Sequence, residues 1–332
     1  MSADVWGNIT PLIGNTPLLE IQYKYKGTKY RTFAKAEYFN LTGSIKDRVA
    51  YYILKKATED GTLKKGDLIA EATSGNTGIA FSAIGRYLGH KVRIYMPDWM
   101  SRERISLMQA FGAEVILVSR EQGGFLGSIA MCEELGKRDG VFLPRQFSNE
   151  DNTYTHMAYT GEEIISQLNA IGVKPDGLVA GVGTGGTVMG LARRLTAANP
   201  ELKSYALEPL NSPTLSTGYK IGKHRIQGIS DEFIPSILKL DELTGIVSVD
   251  DEDAIIMARM LSEKFGIGVG ISSGANLIGC IMKQAELGGG EFVTTFADDN
   301  KKYLSTDYSE PYDINKGTIT PHIELLDVIA HK

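Results

Sequence analysis

No apolar run in this 332-residue sequence approaches bilayer-spanning length, and the N-terminus lacks a charged-then-apolar leader pattern. A cytoplasmic protein is therefore expected, with no membrane partner. Cysteine is scarce: Cys132 and Cys280 are the only two, each in an apolar helical context that reads as a small buried thiol rather than a disulfide or a nucleophile. No metal site is expected. Basic clusters and arms are also missing, and with 35 Lys+Arg against 40 Asp+Glu the net charge is −5, so nothing offers itself to a phosphate backbone. Nucleic acid is thereby excluded as an expected partner. There is no internal repeat and no low-complexity segment. What remains is ordinary for a soluble globular chain, with 42% hydrophobic and 23% charged residues and a length that suggests two domains.

Strand and helix signals alternate along the chain. Ile13-Gly14-Asn15-Thr16-Pro17-Leu18-Leu19 reads as a turn entering a strand, and Thr32 to Glu37 as another strand. In the following segment, Asn40 to Arg48, Gly43 permits a tight approach and Ser44 is a good N-cap. Val49, Tyr52, Ile53 and Ala57 then give a helical apolar stripe that stops at Gly61. Lys46 falls in the first turn of that helix. A cation there opposes the helix dipole, which favours the neutral amine, the form that attacks an aldehyde to make a Schiff base.

The run Asp67 to Glu71 leads through Thr73-Ser74-Gly75-Asn76-Thr77-Gly78 into a helix ending at Leu88; Val92 to Tyr95, a helix from Ser101 and a strand Glu114 to Val118 follow. A second series begins near residue 175: strand Gly177 to Gly181, a glycine loop to Thr187, a helix to Ala198 and strand Ser204 to Leu207. Strand Ile246 to Val249 precedes a helix to Phe265, whose start Asp250 and Asp253 mark as capping-box-like, and another helix follows Ser272-Ser273-Gly274. From about Glu310 the chain is a mixed tail. Such alternation implies an α/β protein of two domains, each a mostly parallel twisted sheet covered by helices.

Two glycine segments join strand to helix. In Gly181-Val182-Gly183-Thr184-Gly185-Gly186-Thr187, exposed backbone N–H groups and the helix dipole form a site suited to a phosphate. Its spacing loosely matches a dinucleotide fingerprint too, with Glu208 at about the right distance for a ribose hydroxyl. A nicotinamide-dependent dehydrogenase is the resulting alternative, but it leaves Lys46 and Thr73 to Gly78 without a task. The segment Thr73 to Gly78 offers hydroxyls and an amide, a set suited to a carboxylate or a hydroxylated ring. Together with Lys46 the two loops can hold a phosphorylated aldehyde and an amino acid carboxylate at once.

At these residues the chain resembles the cysteine synthase and cystathionine β-synthase family, pyridoxal-phosphate enzymes with the tryptophan synthase β-subunit fold (fold type II). The resemblance covers roughly residues 5 to 308. Its matching segments are Ile13 to Leu18, Gly43 to Arg48, Thr73 to Gly78, the 181 to 187 loop, Gln227-Gly228-Ile229, Gly270 to Gly274 and Tyr303 to Thr306. The resemblance implies that Lys46 is the Schiff-base lysine and proton shuttle for pyridoxal 5'-phosphate. By the same match Asn76 bonds the cofactor's ring oxygen, and Gly183, Thr184, Gly185, Gly186 and Thr187 hold its phosphate. Ser272 matches the residue facing the pyridine nitrogen, and a neutral serine there makes a weaker electron sink than a carboxylate. Thr73, Ser74, Asn76, Thr77 and Gln146 match positions that take the substrate carboxylate, and Gly228 is assigned to the substrate as well. The expected division is residues 1–16 with 40–149, carrying the lysine and the carboxylate loop, then 17–39 with 150–308, carrying the phosphate loop, and a tail over 309–332. A homodimer acting on a small amino acid is implied.

Several positions depart from the family. Leu41-Thr42 replaces its usual Pro-Gly, and Asp298-Asp299-Asn300-Lys301 its usual Asp-Ser-Gly-Glu. Asp231 and Glu232 stand where cysteine synthases carry small residues, and Asp231 takes the place of a substrate-facing tyrosine in cystathionine β-synthases. An inward Asp231 would repel hydrosulfide, by about 4 kcal/mol for charges about 4 Å apart at an effective dielectric of about 20, and could accept a proton from water. The expected reaction is therefore β-replacement through an aminoacrylate, with L-cysteine and water giving L-serine and hydrogen sulfide. Cysteine synthesis from O-acetyl-L-serine and sulfide is the alternative, and replacement by an amine or thiol a third. A non-catalytic binding member of the fold would have little reason to keep both Lys46 and Ser272.

Overall fold

In the computed structural model, which describes residues 4–230 and 232–332, the chain forms two units. One takes the chain up to Gly14 and Asn40–Asn152; the other takes Asn15–Phe39 and Thr153–Lys332. Along the chain the elements are α1 (Asp4–Ile9), β1 (Leu18–Tyr25), β2 (Thr28–Ala36), α2 (Lys46–Glu59), β3 (Leu68–Ala72), α3 (Asn76–Tyr87), β4 (Lys91–Pro97), α4 (Arg102–Ala110), β5 (Glu114–Val118), α5 (Gly124–Leu135) and β6 (Val141–Phe142). Then come α6 (Asp151–Thr155), a π-helical turn (His156–Thr160), α7 (Gly161–Ala170), β7 (Gly177–Gly181), α8 (Gly186–Ala198), β8 (Lys203–Pro209) and α9 (Thr214–Thr217). The chain closes with β9 (Gly245–Val249), α10 (Asp251–Phe265), α11 (Ile271–Leu287), β10 (Phe292–Phe296) and β11 (Ile323–His331).

The first unit holds a four-stranded, wholly parallel sheet in the order β5-β4-β3-β6. The stripe of α2 and the apolar side of α3 bury Val49, Ile53, Phe81 and Ile84 against Ile69, Ile94 and Met96 of the sheet. On the other face α5 packs Cys132 and Leu135 against Ala70, Ala72 and Tyr95. Covering both faces in this way is what buries Ile69 to Ala72 of β3 and Ile94 to Pro97 of β4.

The second unit holds a seven-stranded sheet in the order β11-β1-β2-β10-β7-β8-β9. It is parallel from β2 to β9, and β1 and β11 run antiparallel at one edge. Helices α10 and α11 cover one face with Ile255, Met257 and Leu277 among its buried residues, and α7 and α8 cover the other with Ile164, Leu168 and Leu191. Both cysteines are buried free thiols, and burial pushes each thiol pKa up.

The stretch after Glu310, a tail of no readable order in the sequence, belongs to this second unit and ends as β11, registered on β1 from Leu18↔His331 to Tyr25↔Ile323. Its anchor is Asp253, which turns to the tail instead of closing a capping box on α10. Asp250 caps α10 by accepting the Glu252 N–H at 2.9 Å, whereas the buried Asp253 carboxylate accepts the N–H groups of Thr318, Ile319 and Thr320 and the hydroxyls of Thr318 and Thr320.

Candidate active site

In the first unit Lys46 is the opening residue of α2 and is half-buried. Ile45, not Ser44, holds the N-cap position, but the Ser44 Oγ accepts the Lys46 N–H at 3.3 Å and so supplies the first turn from two residues upstream. Thr42, one of the two residues that depart from the family's Pro-Gly, donates both its N–H, at 2.8 Å, and its hydroxyl, at 2.7 Å, to the buried Asp47 carboxylate. The unusual dipeptide thus ties the lysine loop to its helix.

The expected carboxylate segment runs from the end of β3 into α3. Thr73 and Thr77 are buried, while Ser74 and Asn76 are half-buried. A Cβ on Gly75 would lie 2.5 Å from the Arg104 Cδ, so a side chain there would displace the buried Arg104. The first N–H groups of α3 have no intrahelical acceptor, which suits an anion. Gln146 joins this segment: its Oε1 accepts the Thr77 hydroxyl at 2.6 Å and its Nε2 donates to the Ala72 carbonyl at 2.8 Å. Its backbone N–H is held by Glu71 at 3.2 Å, and its carbonyl accepts from the Asn152 Nδ2 at 2.9 Å. Burial pushes the Glu71 carboxyl up to about 8, against the opposing pull of two backbone N–H bonds.

In the second unit the 181 to 187 loop leaves β7 and enters α8. Gly185 has φ +88°, a left-handed conformation that glycine takes without strain, and a Cβ on Gly183 would lie 2.7 Å from the Gly228 carbonyl oxygen. The Gly228 carbonyl crowds Gly183 and the Leu238 side chain crowds Gly185, where a Cβ would lie 3.0 Å from the Leu238 Cβ, so the loop carries side chains only at Thr184 and Thr187 among residues 183–187. A phosphate fits such a cradle, and pyridoxal phosphate is the cofactor these residues suit. Helix α11 sets this loop and Ser272 in register. Ser272 lies buried in its first turn, and one turn on Asn276 accepts the Gly181 N–H at 2.8 Å.

Gly228 sits against Gly183, and two residues later the Ser230 N–H donates to the Val182 carbonyl at 2.7 Å. Ser230 has φ +56°, a strained value for serine. Its carbonyl faces the His224 Nε2 at 3.2 Å, so a clamped backbone precedes the acidic pair. Asp231 lies outside the described residues. Glu232 is paired with Lys220 at 3.0 Å.

Glu208 does not serve a ribose. Its buried carboxylate accepts the Leu215 N–H at 2.8 Å, the Ser216 N–H at 3.2 Å and the hydroxyls of Ser216 and Ser248, so it braces the start of α9. Among the described residues no three His, Cys, Asp or Glu side chains gather as a metal site, and no helix is long and apolar enough to cross a membrane. Sequence reasoning passed over Glu71, Arg104 and Ser230. Glu71 had a readable signal, an acid inside the apolar strand that feeds Thr73. Arg104 and Ser230 had none, since a buried arginine on α4 and a serine at positive φ are visible only in three dimensions.

Residues 9–298 match the pyridoxal-phosphate dependent enzyme family. A cysteine synthase of Staphylococcus aureus (strain N315) is 39% identical over 300 residues, which cover 90% of this chain and 96% of that one. A hydrogen sulfide-producing enzyme from Fusobacterium nucleatum superposes with a TM-score of 0.94 at 54% identity, covering 99% of each chain. An aspartate-to-asparagine variant of a hydrogen sulfide-producing enzyme, solved with an alpha-aminoacrylate intermediate, gives a TM-score of 0.94 at 55% identity over 98% of each chain.

Proposed function

The chain belongs to the cysteine synthase and cystathionine β-synthase family of pyridoxal-phosphate enzymes, and from that premise we propose that it converts L-cysteine and water into L-serine and hydrogen sulfide. The observation that carries the choice is the likeness to hydrogen sulfide-producing enzymes at 54–55% identity over nearly the whole chain, against 39% for cysteine synthase. β-Replacement is common to both.

Pyridoxal phosphate, when bound, supplies an aldehyde for amines and the electron sink that Cα–H cleavage requires. Lys46 carries it and takes the Cα proton as the thiol leaves Cβ. The cradle from Gly183 to Thr187 holds the phosphate, Asn76 donates to the ring oxygen, and Ser272 gives the ring nitrogen a neutral partner. Thr73, Ser74, Asn76, Thr77 and Gln146 orient the substrate carboxylate, with Gly228 on the substrate's side of the cradle. Asp231 takes a proton from the water that adds to Cβ, and its charge disfavours return of hydrosulfide. The working form is a homodimer, as the family resemblance implies, and it acts in the cytoplasm.

Incubation with L-cysteine alone, and separately with O-acetyl-L-serine plus sulfide, tests the choice by product. Serine and sulfide from the first support the proposal; cysteine from the second with no serine from the first would replace it by cysteine synthesis, the reading favoured by the 39% match. With Asp231→Asn, sulfide should appear as a burst of about one equivalent per site, and steady serine formation should slow by about 10²- to 10⁴-fold. Unchanged serine formation in that variant would remove Asp231 from the mechanism.

A further inference from the structure

Behind the carboxylate segment lies a buried acid that the reaction above does not use. Glu71, 4% exposed, accepts the Ala72 N–H at 2.9 Å with one oxygen and the Gln146 N–H at 3.2 Å with the other. Gln146 in turn donates its side-chain amide to the Ala72 carbonyl and accepts the Thr77 hydroxyl. One carboxyl group thus fastens both the end of β3 and the backbone of Gln146. The residue before Gln146, Arg145, is held at φ +54° while its guanidinium grips Glu133 at 2.9 Å, so the turn that presents Gln146 is fixed from outside and from beneath. A side chain of this size and polarity is not needed for packing alone. β3 is otherwise apolar here, and in β4 the register partner of Glu71 is Ile94.

We propose that Glu71 is a positioning residue for the substrate carboxylate, fixing Gln146 so that its amide meets that carboxylate. The proposal rests on the reading that Gln146 receives the carboxylate. A consequence is specific to an acid. Glu133 and Cys132 on α5 and Arg145 ahead of Gln146 are the titratable groups that bear on Glu71, and burial keeps it neutral up to about pH 8. Below that it is a hydrogen-bonding brace without charge; as pH rises through about 8 it ionises and sets a like charge behind the bound carboxylate. Affinity for the amino acid should then fall, with the chemical step untouched.

The test uses the holoenzyme and L-alanine, an amino acid with no leaving group, whose binding is read from the cofactor's absorption; ethylamine, which lacks the carboxylate, is the control. Between pH 7 and pH 9, alanine affinity in the wild type should weaken roughly fivefold relative to ethylamine, and in Glu71→Gln this difference should vanish. With a β-substituted substrate the same change should appear in KM and not in kcat. A wild-type alanine affinity that follows ethylamine across the range overturns the proposal without any variant, and so does an unchanged pH dependence in a folded Glu71→Gln. Gln146→Ala separates the two layers. If it leaves alanine binding intact, the reading that Gln146 holds the carboxylate fails; if it weakens alanine but not ethylamine while the pH effect is absent, only the role of Glu71 fails.

Discussion

Asp253→Asn should release the C-terminal strand while leaving the rest of its unit folded. The carboxylate is 1% exposed and takes five donors from Thr318, Ile319 and Thr320 at 2.8–3.1 Å. Asparagine keeps one oxygen, sufficient for the Thr320 side of the cluster, and turns an amide NH₂ toward the Thr318 donors that the other oxygen served. Each hydrogen bond to a charged group contributes about 1.5–3 kcal/mol, so two lost at the low end give about 3 kcal/mol, or roughly a hundredfold more frequent opening. Space cannot absorb the change, because Gly317 is already so close that a Cβ there would lie 2.3 Å from the Asp253 Oδ1. Amide hydrogen exchange is the assay: protection of the Ile323–His331 amides should fall roughly a hundredfold relative to wild type, with β7 and β8 unaffected. Protection within threefold of wild type would refute the idea that this carboxylate anchors the tail.

Lys46→Ala should abolish turnover and the covalent link to pyridoxal phosphate, seen as failure of borohydride to fix the cofactor to the chain, while the cofactor still binds through the phosphate cradle; retained turnover in the loaded variant would sink the assigned role. Gly183→Ala should weaken cofactor binding by about ten- to a hundredfold, since its Cβ would meet the Gly228 carbonyl at 2.7 Å and backbone does not yield cheaply. Titrating the apoprotein with pyridoxal phosphate measures this, and an unchanged affinity would mean that the loop is no cradle.

What was legible in the sequence follows from what is local. Glu114–Val118 and Gly177–Gly181 were readable as strands to the residue because short apolar runs bounded by turn residues carry their own ends. The stripe of α2 was readable for the same reason, and its start differs by only one residue from the one expected. The phosphate loop was legible because its chemistry is in its backbone, and a run of glycines announces that.

Two carboxylates whose spacing suggests one role serve another for a shared reason: each takes partners the sequence does not place beside it. Glu208 has the ribose spacing, but its oxygens go to a turn seven and eight residues on and to Ser248 on the neighbouring strand. Asp253 has the capping spacing, yet its donors come from a segment 65 to 67 residues later. A buried carboxylate is stable only if N–H or O–H groups surround it, so its surroundings, rather than its spacing from a helix start, decide what it does. The rule runs the other way for Glu71. There burial outweighs only two donors, the acid stays neutral near pH 7, and a group that no motif describes becomes the one whose titration the substrate carboxylate should feel.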